Sequence, residues 1–231
     1  MVIRRSNERG RASHGWLKSW HTFSFAGYYD PQYMGFGSLR VINEDIVAAD
    51  SGFATHPHQD MEIITYMLSG ELKHEDSMGN GAVIHPGEVQ VMSAGTGIRH
   101  SEWNPSPQNH AHLLQIWIEP RQKGVTPRWD QKMFPRADKI NRLQLLVSGD
   151  GRENSLMIHQ EADLYACILE PGCSVNLPAS KNLQFVHVIS GDIQSDDQEL
   201  LSGDALMERS EKDRNIQTRQ GAEILVFSMK E

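Results

Sequence analysis

Two short pairs of side chains carry most of the chemistry legible in this chain: His56-Pro57-His58 and His100-Ser101-Glu102. Each pair is spaced i, i+2. Successive side chains of a β-strand point to opposite faces, so both members of such a pair share one face. Two pairs converging inside a barrel supply three imidazoles and one carboxylate to a single ion. A mixed nitrogen and oxygen set of this kind suits a borderline or redox-capable divalent metal with positions left open for substrate. The competing reading is a chance pairing, with the histidines on the surface or satisfied within a core. The glycines and strand signals around both pairs favour the metal.

The elements that must position these residues are those of a β protein. At 231 residues the chain has room for one large domain or two ordinary ones. Its glycines and prolines are spread along the whole length, as turns between many short strands require. The net charge of −8, with no long Lys/Arg run, argues against direct nucleic-acid binding. No apolar stretch approaches the roughly 20 residues needed to span a bilayer. The first residues, from Met1 to Glu8, lack the apolar core of a signal peptide. Cys167 and Cys173 can form one bridge at most, and we expect them to be reduced, buried thiols of a cytoplasmic protein.

Aromatic residues crowd positions 14–36, including Trp16, Trp20, Phe23, Phe25 and Tyr28, and are expected to pack an N-terminal arm onto the first domain. Strand signals follow at 39–42, 62–68, 89–92 and 113–118. The last is continuously apolar, as in a strand buried on both faces. Gly70, Met78-Gly79-Asn80-Gly81, Pro86-Gly87 and Gly95-Thr96-Gly97 separate them. Residues 119–141 are polar and rich in breakers, which predicts a linker. Strand signals then resume at 143–147, 155–159, 165–169, 183–189, 205–207 and 224–227.

A weak internal repeat relates the two halves. Tyr66-Met67-Leu68-Ser69-Gly70-Glu71-Leu72 resembles His187-Val188-Ile189-Ser190-Gly191-Asp192-Ile193, an offset of 121. That offset places Leu177 at His56, Ala179 at His58 and Leu183 at Glu62. No histidine lies near 214–220, where the second pair would fall. The pattern predicts two β-barrels, of which the first alone keeps metal ligands.

The stretch Gly52-Phe53-Ala54-Thr55-His56-Pro57-His58-Gln59-Asp60-Met61-Glu62 resembles the pirin family. So do Asp76-Ser77-Met78-Gly79-Asn80, Ser93-Ala94-Gly95-Thr96-Gly97-Ile98-Arg99-His100-Ser101-Glu102 and the arm from Gly15 to Phe25. The likeness is most specific over residues 10–130. It implies an all-β bicupin, with two tandem jelly-roll-like cupin barrels: residues 1–130 with the N-terminal arm and the metal, and residues 131–231 without ligands. It implies His56, His58, His100 and Glu102 as the ligands. Against the general cupin pattern, Asp50 and Ser93 replace a glycine and a proline. Glu62 occupies the general cupin carboxylate position. We prefer Glu102, two residues from His100 on one strand face, and assign Glu62 to a supporting or core-facing role. His110 and His112, another i, i+2 pair, are expected to have structural or surface roles, and His74 and His85 to be solvent-facing.

The activity implied by the resemblance is that of a quercetin 2,3-dioxygenase-like enzyme. It opens the heterocycle of a flavonol with dioxygen and releases carbon monoxide, with Glu102 as general base. The implied cofactor is one divalent ion, Fe(II) first, with Mn, Co, Ni, Cu or adventitious Zn as alternatives. The runner-up is a metal-binding regulatory module with a protein partner, as animal pirins are. Neither reading involves a membrane.

Overall fold

A computed structural model describes residues 1–230. The chain divides into two compact units. One comprises residues 10–134 with 156–160. The other comprises residues 1–9, 135–155 and 161 onward. The crossing thus falls at Phe134/Pro135, close to the expected 130/131. Two segments differ from expectation. Residues 1–9 belong with the C-terminal unit, because β1 (Val2–Arg4) pairs with a strand of that unit. Residues 156–160 belong with the N-terminal unit, although their strand signal lies far downstream in the sequence.

The N-terminal unit is built from β2 (Gly10–Ser13), β3 (Leu17–His21), β4 (Leu39–Val47), β5 (Ser51–His58), β6 (Glu62–Ser69), β7 (Leu72–Asp76), β8 (Gly81–Ile84), β9 (Glu88–Ser93), β10 (Ile98–Asn104), β11 (Ala111–Ile118) and β12 (Arg128–Met133). Seven of them form one antiparallel sheet in the order β12-β9-β6-β11-β4-β3-β2, and four form a second in the order β5-β10-β7-β8. Alternation places one residue in two on the interior. In β3 the inward residues are Leu17, Ser19 and His21. In β10 they are Ile98, His100, Glu102 and Asn104. One apolar cluster gathers Leu17, Val47, Met67, Leu72, Ile84 and Leu113, and a second gathers Ile63, Met92, Ala94 and Ile98. β11 is buried along most of its length, as its unbroken apolar run predicts.

The predicted linker at 119–141 is only partly irregular. β12 lies inside it and pairs with β9 from Arg128↔Ser93 to Met133↔Glu88. A short helix, α1 (Arg136–Lys139), follows. Prolines at 120 and 127 misled the reading, because a strand can begin directly after a proline.

The C-terminal unit contains β13 (Gln144–Ser148), and β14 (Leu156–Met157) follows within the segment assigned to the other unit. Then come β15 (Ala162–Leu169), β16 (Ser174–Leu177), β17 (Leu183–Ser195), β18 (Gln198–Leu201), β19 (Ala205–Arg209), β20 (Arg214–Gln217) and β21 (Ala222–Met229). The pairing runs β13-β15-β21-β17-β19-β1, with β16 on β20 and β20 on β17. The core is apolar and includes Cys167, Leu177, Val186, Val188, Leu206, Ile224 and Val226. Both expected barrels are therefore present. Both cysteines are free thiols, Cys167 buried and Cys173 half-buried. Among the described residues, no helix is long and apolar enough to cross a membrane.

Candidate metal centre

β5 forms the edge of the four-stranded sheet, where Pro57 interrupts no central ladder. Its register on β10 sets His56 opposite His100 and His58 opposite Ile98. Alternation then turns all three imidazoles inward. Their ring centroids are 4.5 Å apart for His56 and His100, 4.8 Å for His56 and His58, and 4.9 Å for His58 and His100. One ring nitrogen from each lies within 4.8 Å of the others. The strands are closest beside a bulge between His100 and Glu102. There a Cβ on Gly52 would meet the Glu102 carbonyl oxygen at 2.1 Å, so only glycine fits.

Hydrogen bonds outside the cluster set the tautomers. His56 Nδ1 is 2.8 Å from the Ala54 carbonyl oxygen, which can only accept, so Nδ1 carries the proton and Nε2 is left bare. His100 is set by a longer chain. Asp76 accepts hydrogen bonds from the backbone N–H groups of Met78 and Asn80 and from Asn80 Nδ2. It lies 3.3 Å from His74 Nε2, which therefore donates. His74 Nδ1 is then an acceptor, and His100 Nδ1, 3.4 Å away, is the donor. His100 Nε2 is buried with no hydrogen-bond partner, so its lone pair is available to an ion.

Electrostatics agree with this. Burial, helped by neighbouring His56, pushes the pKa of His58 down to about 4, and burial pushes that of His100 down to about 2. Both rings are thus neutral at physiological pH, the form that binds metals. The donor set and the bare, buried nitrogen fit a borderline divalent ion.

Glu102 is buried on the same face of β10. Its carboxylate oxygens accept from Gln115 Nε2 at 2.8 and 3.1 Å, and Thr65 Oγ1 donates to Gln115 Oε1 at 3.1 Å, fixing the amide's orientation. A carboxylate oxygen of Glu102 falls within 4.8 Å of ring nitrogens of His74 and His100. Burial raises its pKa to about 7.

One expectation changes here. His74 is fully buried rather than solvent-facing. The alternation Leu72-Lys73-His74-Glu75 carried the signal, since His74 shares the face of Leu72. Glu62 is buried but does not line the cavity of the histidines, whereas its neighbour Ile63 does. Asp60, at φ +48°, lies in the turn between β5 and β6, so the alternation of β5 does not carry through to Glu62. Glu62 instead accepts from Ser93 Oγ at 2.6 Å and lies 3.3 Å from His159 Nδ1. This accounts for Ser93, the departure from the cupin proline. His112 does pair at the surface with Glu44, at 3.0 Å, and His110 and His85 are exposed.

The three histidines open on a cavity of about 280 Å³. Phe25, Phe53 and Trp117 form apolar walls, and Ser19, His21, Asn43, Asp45 and Gln115 form a polar one. The aromatic arm thus does more than pack, because Phe25 lies edge-on to Trp117 at 5.4 Å, and Trp117 edge-on to His58 at 4.9 Å. The polar wall escaped the sequence reading. Three of its members, His21, Asn43 and Gln115, belong to a row of directly opposed residues crossing the large sheet that continues to Thr65 and Gln90, and Ser19 and Asp45 are opposed beside it.

Comparison with known proteins agrees with this geometry. A family model described as Pirin matches residues 2–118, and one described as a quercetinase C-terminal cupin domain matches residues 145–229. The quercetin 2,3-dioxygenase of Escherichia coli (strain K12) is 47% identical over 99% of this chain and 98% of its own. The crystal structure of the bacterial pirin YhhW from Escherichia coli in complex with nickel(II) superposes with a TM-score of 0.94. It is 45% identical, with 99% of this chain and 98% of that one covered. A quercetin 2,3-dioxygenase structure from Acinetobacter baumannii, 18% identical with a TM-score of 0.76 over 100% of this chain and 86% of its own, shares the fold.

Proposed function

The chain belongs to the pirin family, and from that premise we propose that it is a metal-dependent dioxygenase that opens the heterocycle of flavonols such as quercetin. The observation that carries the reading is the convergence of His56, His58 and His100 on one cavity, with His100 Nε2 bare and buried. The proposed ligands are these three histidines and Glu102, holding one Fe(II). When bound, a divalent ion supplies Lewis acidity that lowers the pKa of a flavonol 3-hydroxyl, and an anchor that orients it.

The chain's own residues do the rest. Phe25, Phe53 and Trp117 offer flat apolar surface to an aromatic ligand and keep water out. Glu102 takes the hydroxyl proton on a carboxylate oxygen. Burial raises its pKa to about 7 in the metal-free protein, the direction that favours its taking up a proton. Gln115 steadies the carboxylate by donating to both oxygens, and Thr65 steadies Gln115. The Asp76–His74 chain keeps His100 in the tautomer that presents Nε2. The reading extends to a cytoplasmic location, which the two free thiols support.

The test is oxygen uptake and carbon monoxide release by the metal-reconstituted protein over a panel of flavonols. Consumption of dioxygen with stoichiometric carbon monoxide supports the reading. Tight metal binding with no turnover of any flavonol would favour the regulatory module instead.

A further inference from the structure

The polar wall opposite the aromatic residues contains a carboxylate that the chemistry above does not use. Asp45 sits on β4 with its side chain turned inward and 3% of the residue exposed. It lines the same cavity as the three histidines. Its Oδ1 is buried with no hydrogen-bond partner. Ser19, directly opposite on β3, bonds the carboxylate, and beside it His21 Nδ1 lies 2.9 Å from Asn43 Oδ1. An acceptor left unmatched in a buried place is costly, and proteins rarely keep one without use. Asp45 is one of the residues that line the cavity of about 280 Å³, so a small rearrangement of its side chain would bring this oxygen to a ligand there.

Three features define what would complete it. The free atom is a carboxylate oxygen, so the missing group is a hydrogen-bond donor. The cavity already contains a second carboxylate, Glu102, whose charge interacts with that of Asp45, so an anionic ligand group is disfavoured there. The adjoining walls are aromatic, so the donor is carried on a flat ring. A phenolic hydroxyl meets all three conditions.

We propose that Asp45, supported by Ser19, is a recognition subsite for a second hydroxyl of a polyhydroxylated aromatic ligand whose first hydroxyl is held at the histidine corner. The subsite rests on the flavonol reading of the cavity. It gives the cavity a preference for polyphenols over singly hydroxylated analogues. A site built to hydrogen-bond a hydroxyl discriminates against the ligand lacking it, because its own acceptor is then left unmatched.

The test uses the full chain loaded with nickel, freed of excess ion and kept anaerobic, so that binding is read without turnover. Quenching of tryptophan fluorescence reports the affinity for two probes: quercetin, and 3-hydroxyflavone, which lacks every hydroxyl except that at position 3. The wild type is expected to prefer quercetin by about 10- to 100-fold, the range for a hydrogen bond to a charged group. In Asp45→Leu that preference falls to within about 3-fold, while 3-hydroxyflavone binds nearly as in the wild type. Asp45→Asn, a closer match in shape, covers the case in which the leucine variant does not fold. It keeps a neutral acceptor, and its preference falls to an intermediate value. A preference for quercetin that survives both substitutions, or equal binding of both probes by the wild type, overturns the subsite alone. Failure of both probes to bind the loaded wild type overturns the flavonol reading and the subsite with it.

Discussion

In the N-terminal unit the row His21, Asn43, Gln115, Thr65 and Gln90 crosses five adjacent strands with polar side chains. The repeat offset carries Thr65 onto Val186. The corresponding row of the C-terminal unit reads Leu145, Tyr165, Val226, Val186 and Leu206. The sheets pair in the same order, yet one row is polar and the other almost wholly apolar. The strand pairs that would hold the ion differ as well. β5 and β10 bring three histidines together, whereas β16 and β20 set Leu177 opposite Arg214. Arg214 is buried and pairs with Glu208, with Asp196 at 2.9 Å and with Ser195 Oγ at 2.8 Å. The lesson is physical. A barrel closes on strand pairing and apolar filling, and in the second unit a buried ion pair around Arg214 stands where the first unit has histidines. The first carries a polar row whose burial weakens the fold and is explained by the cavity beside it.

Five substitutions break or sharpen that contrast. The largest effect is expected from Glu102→Gln, which preserves shape but removes the proposed base. At equal metal occupancy, flavonol turnover should fall about 10²-fold or more. Glu62→Gln should act less, since Glu62 faces Ser93 and His159 and not the cavity. Steady-state kinetics with occupancy measured in each variant decides between the two carboxylates. A larger loss from Glu62→Gln would transfer the role.

Next comes Arg214→Met, directed at the second unit. It strands the buried Glu208 and should destabilise the protein by about 3 kcal/mol in urea unfolding, with metal content unchanged. Loss of metal in this variant would contradict the separation of roles between the units.

Asp45→Asn works in the opposite direction. Burial raises the pKa of Asp45 from 3.8 to about 6. The folded state therefore holds its proton more tightly than the unfolded state. That contribution favours folding below pH 4, declines as pH rises towards 6, and leaves a charged, buried carboxylate above it. The neutral asparagine should stabilise the metal-free protein by up to about 3 kcal/mol at pH 8 and hardly at all at pH 4, which thermal melts at the two pH values would show. No difference between them would mean that the charge at position 45 is well compensated.

The smallest effect is expected from Asp76→Asn. Without the carboxylate, the donor order through His74 to His100 is no longer imposed, and metal affinity should weaken about 10- to 100-fold in competition titrations. Nitrogen-15 chemical shifts of the metal-free protein should show His100 moving from one Nδ1–H tautomer to a mixture.

Much of this was legible in the sequence, for identifiable reasons. The i, i+2 pairs mark one strand face whatever the fold, so the spacing alone singles out His56, His58, His100 and Glu102, and the structure gathers the three imidazoles with Glu102 on the face of His100. The repeat at offset 121 revealed two barrels because turn residues such as Gly70 and Gly191, both at positive φ, recur with them. What stayed hidden depends on pairing between distant strands. Asn43 and Gln115 read as ordinary polar residues within apolar runs, and only the register sets them in one row. Residues 1–9 and 156–160 changed units because each docks on strands remote in sequence.

Metal stoichiometry tests the central claim most directly. Elemental analysis of the wild type and of His58→Ala, both confirmed as folded by thermal melting, should give about one ion per chain for the first and almost none for the second. Melting of His58→Ala should remain cooperative, because the barrel closes without the ion. Two tightly held ions per wild-type chain, or one ion retained by His58→Ala, would contradict the assignment of a single centre to the three histidines of the N-terminal unit.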